Sequence, residues 1–546
     1  MERIIGMHGN NKKVIVVGLD GATFTLLEQF VQEGRMPNFQ KILREGVSGI
    51  LQSTVPPVTA PAWCSFATGK NPGKHGAHDF IVKNKDNEMV IINSQRIKGK
   101  KIWDILGDYN KKVGVIHFPI SYPPEKVNGF MLSGFISPPN KKNYSYPEEL
   151  YPDLLKETGE YIFNVKVPEK KNWQQTGLED IRPFIDKLYH ETELRYKAYR
   201  YLKRKHDCDF WYLLFMSFDK IQHVLWKFLD INCRNHDRGK IFDYIIKCYE
   251  QIDGILGHIL SELDNNTSMI VLSDHGFGPK DKWLYVNVWL EKNGFLQKNL
   301  VKLVKEKVKE KLGFRSGKYF EGIPAPTVKR HEFLNLQRTK AYSPNSSSYG
   351  IFINLKGREK SGIVEKGKDY ERLRNELRDR LLSYKDDETG TNVIDEVYFS
   401  DQIYHGPFQQ NAPDLILCPA YGYMIIDSFS VSGKCLVKVD VPEGTHRPEG
   451  IFIAANNKDL MHGARINDIN IIDIAPTILY LMGLPIPSDM DGKIIAPMFN
   501  DAFLKSNSPV FTESEAGTIA SANEDVYSEE DDKQIRDSLK GLGYLD

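Results

Sequence analysis

Cysteine is scarce in this chain. Six occur in 546 residues, at positions 64, 208, 233, 248, 418 and 435, and no pair has CxxC spacing. That scatter argues against a thiolate zinc knuckle. Net charge is missing as well, because 72 Lys and Arg balance 72 Asp and Glu. A protein that coats nucleic acid would be strongly basic. No apolar run approaches the ~20 residues of a transmembrane helix. The first apolar stretch, Val14 to Leu19, is too short for a signal-peptide core and reads as a strand. Scattered thiols and the lack of an export signal lead us to expect a cytoplasmic protein. Internal repeats and heptads are also missing, so the oligomeric state is not legible.

Hydrophobic residues make up 41% of the chain and charged residues 26%, which is the composition of a folded globular protein. The length allows roughly two to four units. VIVVGLD (14–20), KKVGVIHFPI (111–120), FWYLLFMSFD (210–219) and SMIVLSD (268–274) are apolar runs typical of buried parallel strands. Helical periodicity runs from about Leu26 to Arg44, broken near Met36-Pro37, and from about Phe242 to Leu263. Strands alternating with helices predict βαβ units and a mostly parallel sheet.

Two stretches interrupt this rhythm. Residues 135–180 are rich in Pro, Lys, Tyr and Asn and read as a surface insertion. Residues 281–409 read as a cap insertion, including LVKLVKEKVKEKL (300–312), whose Leu300, Val304, Val308 and Leu312 share one helical stripe. The α/β rhythm resumes near PDLILCPA (413–420), followed by GIFIAA (450–455) and DIAPTILYLMGLP (473–485). Residues 501–546 form an acidic tail ending in an amphipathic docking segment. The expected catalytic core is therefore discontinuous, 12–280 plus 410–500.

Asp20, Asp219 and Asp274 each stand at the end of an apolar strand. Ligands of open α/β sheets bind beyond those ends. His223 follows Asp219 by four residues, which places both on one face of a helix. His275 follows Asp274 directly, with Gly276 and Gly278 suited to a tight turn and close backbone approach. His446 lies in GTHRPEG, a glycine-flanked loop before a strand. Three Asp and three His exceed one tetrahedral site and suit two divalent metals, Zn²⁺ first, with Mn²⁺ or Fe²⁺ as competitors. Thr59, followed by Pro61, reads as the N-cap of a helix reaching Thr68. A helix start favours phosphate oxygens, and a metal on the Thr59 oxygen would make it a nucleophile.

Asp20, Thr59 in VTAPAW, TGKNPGKHG (68–76), Asp219 with His223, SDHG (273–276) and GTHRPEG together resemble the type I phosphodiesterase/nucleotide pyrophosphatase family of the alkaline phosphatase superfamily. The resemblance covers roughly 12–280 and 410–500, with 473–492 similar to a closing helix and loop. It implies a three-layer core with helices on both faces of the sheet. It implies one metal held by Asp219, His223 and His446, and a second held by Asp20, Asp274 and His275 with Thr59 bridging. It also implies in-line attack of Thr59 on a small-molecule phosphodiester, giving a phosphothreonine that water then releases. Cations roughly 4 Å apart stabilise attacking and leaving oxygens together.

The pattern departs from the animal enzymes in two places. Pro61-Ala62 stands where they carry Pro-Asn, and no asparagine follows the HG motif near Asp79 or Phe80. Lys74, His78 or backbone N–H groups are the replacements for that oxyanion contact. A sulfatase would need a Cys or Ser followed by x-Pro-x-Arg, and Cys64 is followed by Ser-Phe-Ala-Thr, so Cys64 reads as a buried helix residue. An aspartyl-phosphate enzyme built on Asp20 would need a second Asp at position 22, which is Ala. The remaining alternatives are a phosphomonoesterase, a phosphonate hydrolase or a phosphoglycerol-type transferase, and a binding protein with an inactive site.

Overall fold

The computed structural model describes residues 12–84, 88–168, 177–233, 236–299, 334–344, 349–430, 432–513 and 526–541. Its centre is a nine-stranded sheet. Along the chain these strands are β1 (Lys13–Leu19), β2 (Val47–Gln52), β3 (Val113–Phe118), β4 (Gly129–Ser133) and β5 (Ser145–Tyr146). They continue with β6 (Phe210–Phe215), β7 (Thr267–Leu272), β8 (Glu449–Ala455) and β9 (Ala464–Asn470). The spatial order is β9-β2-β8-β7-β1-β6-β3-β4-β5. Only β8 and β5 run against the others. This is the mostly parallel α/β sheet expected from the alternating pattern, and β1, β3, β6 and β7 are the four apolar runs read as strands. β3 and β6 are buried along their whole length, because helices cover the sheet and leave no face for water.

Six helices carry the site or close the core around it: α1 (Thr59–Thr68), α2 (Leu178–Lys205), α3 (Ser217–Leu229), α4 (Lys240–Ser261), α5 (Ile474–Leu481) and α6 (Glu529–Gly541). α1 is buried on every side. Its Trp63 fits against β1 only because residue 18 is glycine, where a Cβ would stand 2.8 Å from the indole and 2.7 Å from Leu214. Cys64 is likewise buried inside α1, as read. The break at Met36-Pro37 separates helices Phe24–Gln32 and Pro37–Glu45.

Three expectations change. The strand in PDLILCPA, Leu415–Pro419, does not rejoin the central sheet. It pairs with Gly350–Ile353 and Ile394–Phe399 in a separate four-stranded sheet with its own apolar core. Its apolar run finds burial there against Leu377, Leu381 and Ile353. The described residues of 135–180 are less superficial than their composition implies, since they supply edge strand β5 and the buried Phe135, Tyr144 and Leu154. His446 sits within a strand, Leu436–Arg447, and not in a loop. That strand pairs with Gly276–Tyr285, which pairs in turn with Gly422–Ile426.

The amphipathic stripe at 300–312 lies outside the described residues. α6 packs Ile535 and Leu539 into the main core. Among the described residues no helix is long and apolar enough to cross a membrane.

Candidate active site

The three aspartates meet because β7, β1 and β6 are adjacent. Asp20 follows β1 directly, Asp274 follows β7 after Ser273, and Asp219 lies in the first turn of α3 after β6. Backbone bonds lock the ends together. Asp20 N–H donates to Phe215 O at 2.9 Å, and Asp219 N–H donates to Asp20 O at 3.1 Å. Gly21, at φ +70°, turns the chain so that its own N–H reaches Asp274 Oδ1 at 3.2 Å. His223 does lie one helical turn after Asp219, with Nε2 3.2 Å from Asp219 Oδ1. His446 faces the same oxygen at 3.3 Å and His223 Nε2 at 3.0 Å. His275 Nε2 lies 3.3 Å from Asp274 Oδ2 and 3.8 Å from Asp20 Oδ1.

Thr59 opens α1 as its first residue, and the N-cap is Val58, with no capping side chain. This corrects the reading of Thr59 as a cap. Its hydroxyl lies 3.2 Å from His275 Nε2. All seven residues singled out in the sequence therefore form one continuous cluster, buried except for the half-buried His223. Asp20, Thr59, Asp219, Asp274 and His275 are essentially inaccessible to solvent.

The donor set suits divalent cations. His446 Nδ1–H donates to Pro57 O at 2.9 Å, and His275 Nδ1–H donates to Gly276 O at 3.2 Å. These bonds fix the tautomers and leave each Nε2 with a lone pair. Each Nε2 also lies 3.3 Å from a carboxylate oxygen, His446 from Asp219 and His275 from Asp274. Asp20 Oδ1, Asp274 Oδ2 and both Asp219 oxygens are buried without a hydrogen-bond partner among the described residues. Buried acceptors are ordinarily satisfied, so such convergence calls for positive charge. Two three-residue groups have ligand atoms within 4.8 Å of one another: Asp219, His275 and His446, and Asp20, Asp274 and His275. Burial, then the charges of Asp274 and Asp219, raises Asp20 well above the usual carboxylate range. Burial and Asp219 push Asp274 up to about 8. Burial keeps the His275 imidazole well below its usual range, hence neutral and able to ligate.

Sequence reading missed the supports. Trp63 Nε1–H donates to Asp20 Oδ2 at 3.2 Å. Gln222 donates to Gly21 O at 2.9 Å, and the Ser273 hydroxyl donates to Ala22 O at 2.9 Å. Beneath Asp219, buried Lys220 and Arg195 both pair with Glu191, at 3.3 and 2.9 Å. Trp63 and Ser273 lie inside the quoted motifs, and Gln222 lies between Asp219 and His223, which was the available signal. Glu191 and Arg195 lie on α2, outside every motif read in the sequence, and carried none. Gly276 serves a different close approach from the one expected: a Cβ there would stand 2.0 Å from Glu449 O, so it admits backbone and not ligand.

Lys74 donates to Asp491 Oδ1 at 2.5 Å and Asp489 O at 2.8 Å, and His78 Nε2–H donates to Phe408 O at 2.9 Å. Both are committed away from Thr59.

The family model described as type I phosphodiesterase/nucleotide pyrophosphatase matches residues 14–448. No curated protein sequence matches significantly. Among solved structures, phosphonoacetate hydrolase from Sinorhizobium meliloti 1021 in complex with phosphonoacetate is similar at 17% identity and a TM-score of 0.51. It covers 85% of this chain and 94% of that one. Murine ectonucleotide pyrophosphatase/phosphodiesterase 5 in complex with AMP is similar at 14% identity and a TM-score of 0.48, covering 87% and 95%.

Proposed function

Because the chain belongs to the type I phosphodiesterase/nucleotide pyrophosphatase family of the alkaline phosphatase superfamily, we propose that it hydrolyses small phosphodiesters, or nucleotide pyrophosphates, with Thr59 as nucleophile. The observation that carries this reading is the buried Thr59 hydroxyl, 3.2 Å from Nε2 of His275, the histidine common to the two ligand groups. Asp219, His223 and His446 would hold one divalent ion. Asp20, Asp274 and His275 would hold the other, with Thr59 beside it. Imidazole plus carboxylate suits Zn²⁺, with Mn²⁺ or Fe²⁺ as competitors. When bound, the ions supply Lewis acidity that favours an ionised Thr59 hydroxyl and offsets charge on phosphate oxygens.

The chain's own residues do the rest. Thr59 Oγ1 forms the new O–P bond while the bond from phosphorus to the leaving oxygen breaks, and the proton Thr59 gives up ends on that leaving oxygen. Water then attacks the phosphothreonine, and the Oγ1–P bond breaks to restore Thr59. Burial of the cluster keeps bulk water from the first step. With Lys74 and His78 engaged elsewhere, the backbone N–H groups at the start of α1 are our candidates for the non-bridging oxygen. We read 281–409 as the cap that selects substrate. The scattered cysteines support a reducing compartment.

The test is Thr59→Ala. It should keep its metals and lose at least about 10³-fold in turnover of bis-p-nitrophenyl phosphate. Near-full activity would sink the nucleophile. Comparing p-nitrophenyl phosphate and p-nitrophenyl sulfate on the wild type separates diesterase from monoesterase and sulfatase.

A further inference from the structure

Beneath the ligand cluster lies a second charged group that the proposed reaction does not use. Lys220, next to Asp219 in the first turn of α3, is fully buried. Its ammonium lies 3.4 and 3.3 Å from Glu191 Oε1 and Oε2, on α2. Arg195, one helical turn after Glu191, donates to Oε1 of the same carboxylate at 2.9 Å. Glu191 and Arg195 are each 1% exposed. The Arg195 guanidinium also reaches Leu214 O at 3.4 Å and Ile162 O at 3.2 Å, and its Nε has no partner among the described residues.

Two buried cations therefore share one carboxylate. Among the described residues, neither has a second carboxylate within ion-pair distance. The neighbouring titratable groups do not cancel the excess. Burial, then Arg195 and Lys220, keeps the His117 imidazole well below its usual range, hence neutral. Tyr161, whose hydroxyl lies 3.3 Å from His117 Nδ1, is raised by burial and is neutral too. One positive charge is left over. Buried charges are ordinarily paired, because leaving them alone is costly. The anions that face this one belong to the ligand cluster: Lys220 acts on Asp20, and Asp219 acts on Lys220. Water screens little in such an interior, so a unit charge is felt across a helical turn.

We propose that Lys220, Glu191 and Arg195 form a fixed countercharge under the active site, whose single excess positive charge opposes the bound cations and favours the anionic phosphate that joins them. Lys220 is then a determinant of substrate charge that never touches substrate. The proposal rests on the ligand cluster holding metal, and its test reads binding alone.

The charge changes are made in the Thr59→Ala chain. Lys220→Met leaves the Glu191–Arg195 pair intact and takes the excess to zero. Zn²⁺, read by competition with a chelator, should bind at least about fivefold more tightly. Inorganic phosphate, titrated by calorimetry into the Zn²⁺-saturated protein, should bind at least about fivefold more weakly. Adding Glu191→Gln to Lys220→Met leaves Arg195 alone, and a guanidinium stays charged when buried. That double change restores one positive charge without restoring the contact, so both affinities should return toward those of the Thr59→Ala parent. Arg195→Met removes the same charge from α2 and keeps the Lys220–Glu191 pair. It should move both affinities in the same directions as Lys220→Met, and it carries the test if that variant does not fold.

A helix-packing role would weaken Zn²⁺ and phosphate together and make the double change worse than the single one. That pattern would overturn the countercharge, as would affinities unmoved by Lys220→Met. No Zn²⁺ bound by the Thr59→Ala parent would overturn it together with the metal-site reading.

Discussion

Asp219 carries two imidazoles on one oxygen, His223 at 3.2 Å and His446 at 3.3 Å, whereas Asp20 has a Trp63 donor on Oδ2. The consequences of substitution differ accordingly. Asp219→Ala or His446→Ala cuts a three-residue ligand group to two, so metal per chain measured by elemental analysis should fall together with turnover. Full metal content in both variants would mean that these side chains do not ligate. Trp63→Phe keeps an aromatic ring against Gly18 but removes the donor to Asp20. A loss of about 1–3 kcal/mol in urea unfolding is expected, since a buried acceptor loses its hydrogen bond.

The element that matters most is α1, whose C-terminal turn is held from far along the chain. Gly69 O accepts from Asp491 N–H at 2.9 Å and Gly492 N–H at 3.1 Å. The Asn71 side chain accepts from Gly73 N–H and His405 N–H and donates to His405 O and Asp491. One amide therefore ties the α1 exit to the cap and to the closing loop. At about 1 kcal/mol per lost bond, Asn71→Ala should cost about 2–4 kcal/mol, read as a lower urea midpoint. A shift under about 0.5 kcal/mol would show that these bonds are replaced by water.

At the scale of the molecule, the ligand cluster joins segments more than 400 residues apart, so any ion it holds favours the folded chain. A chelator should lower the melting temperature, and added Zn²⁺ should restore it. The expected effect is about 4 kcal/mol for an ion at a thousand times its dissociation constant. An unchanged melting point after complete metal removal would contradict the clustering. α6 closes the chain onto the same core, with Lys141 pairing with Asp531 at 2.8 Å and Tyr527 stacked on Tyr122. Leu539→Ala empties a filled pocket and should cost about 2–5 kcal/mol.

Local pattern alone determined much of this protein. β-branched runs such as VIVVGL gave strands, and the Asp at each run's end marked the ligand edge, because side-chain period and burial act over a few residues. The i, i+4 spacing of Asp219 and His223 likewise needed only one helical turn. Tertiary structure decided which sheet each strand entered. Leu415–Pro419 is as apolar as β8, yet it pairs in the cap, since an apolar run specifies burial without specifying a partner. It also decided that His446 projects from a strand, and that the Thr59 hydroxyl meets His275. Hydrogen bonds between residues hundreds of positions apart hold those orientations, and sequence spacing carries no record of them.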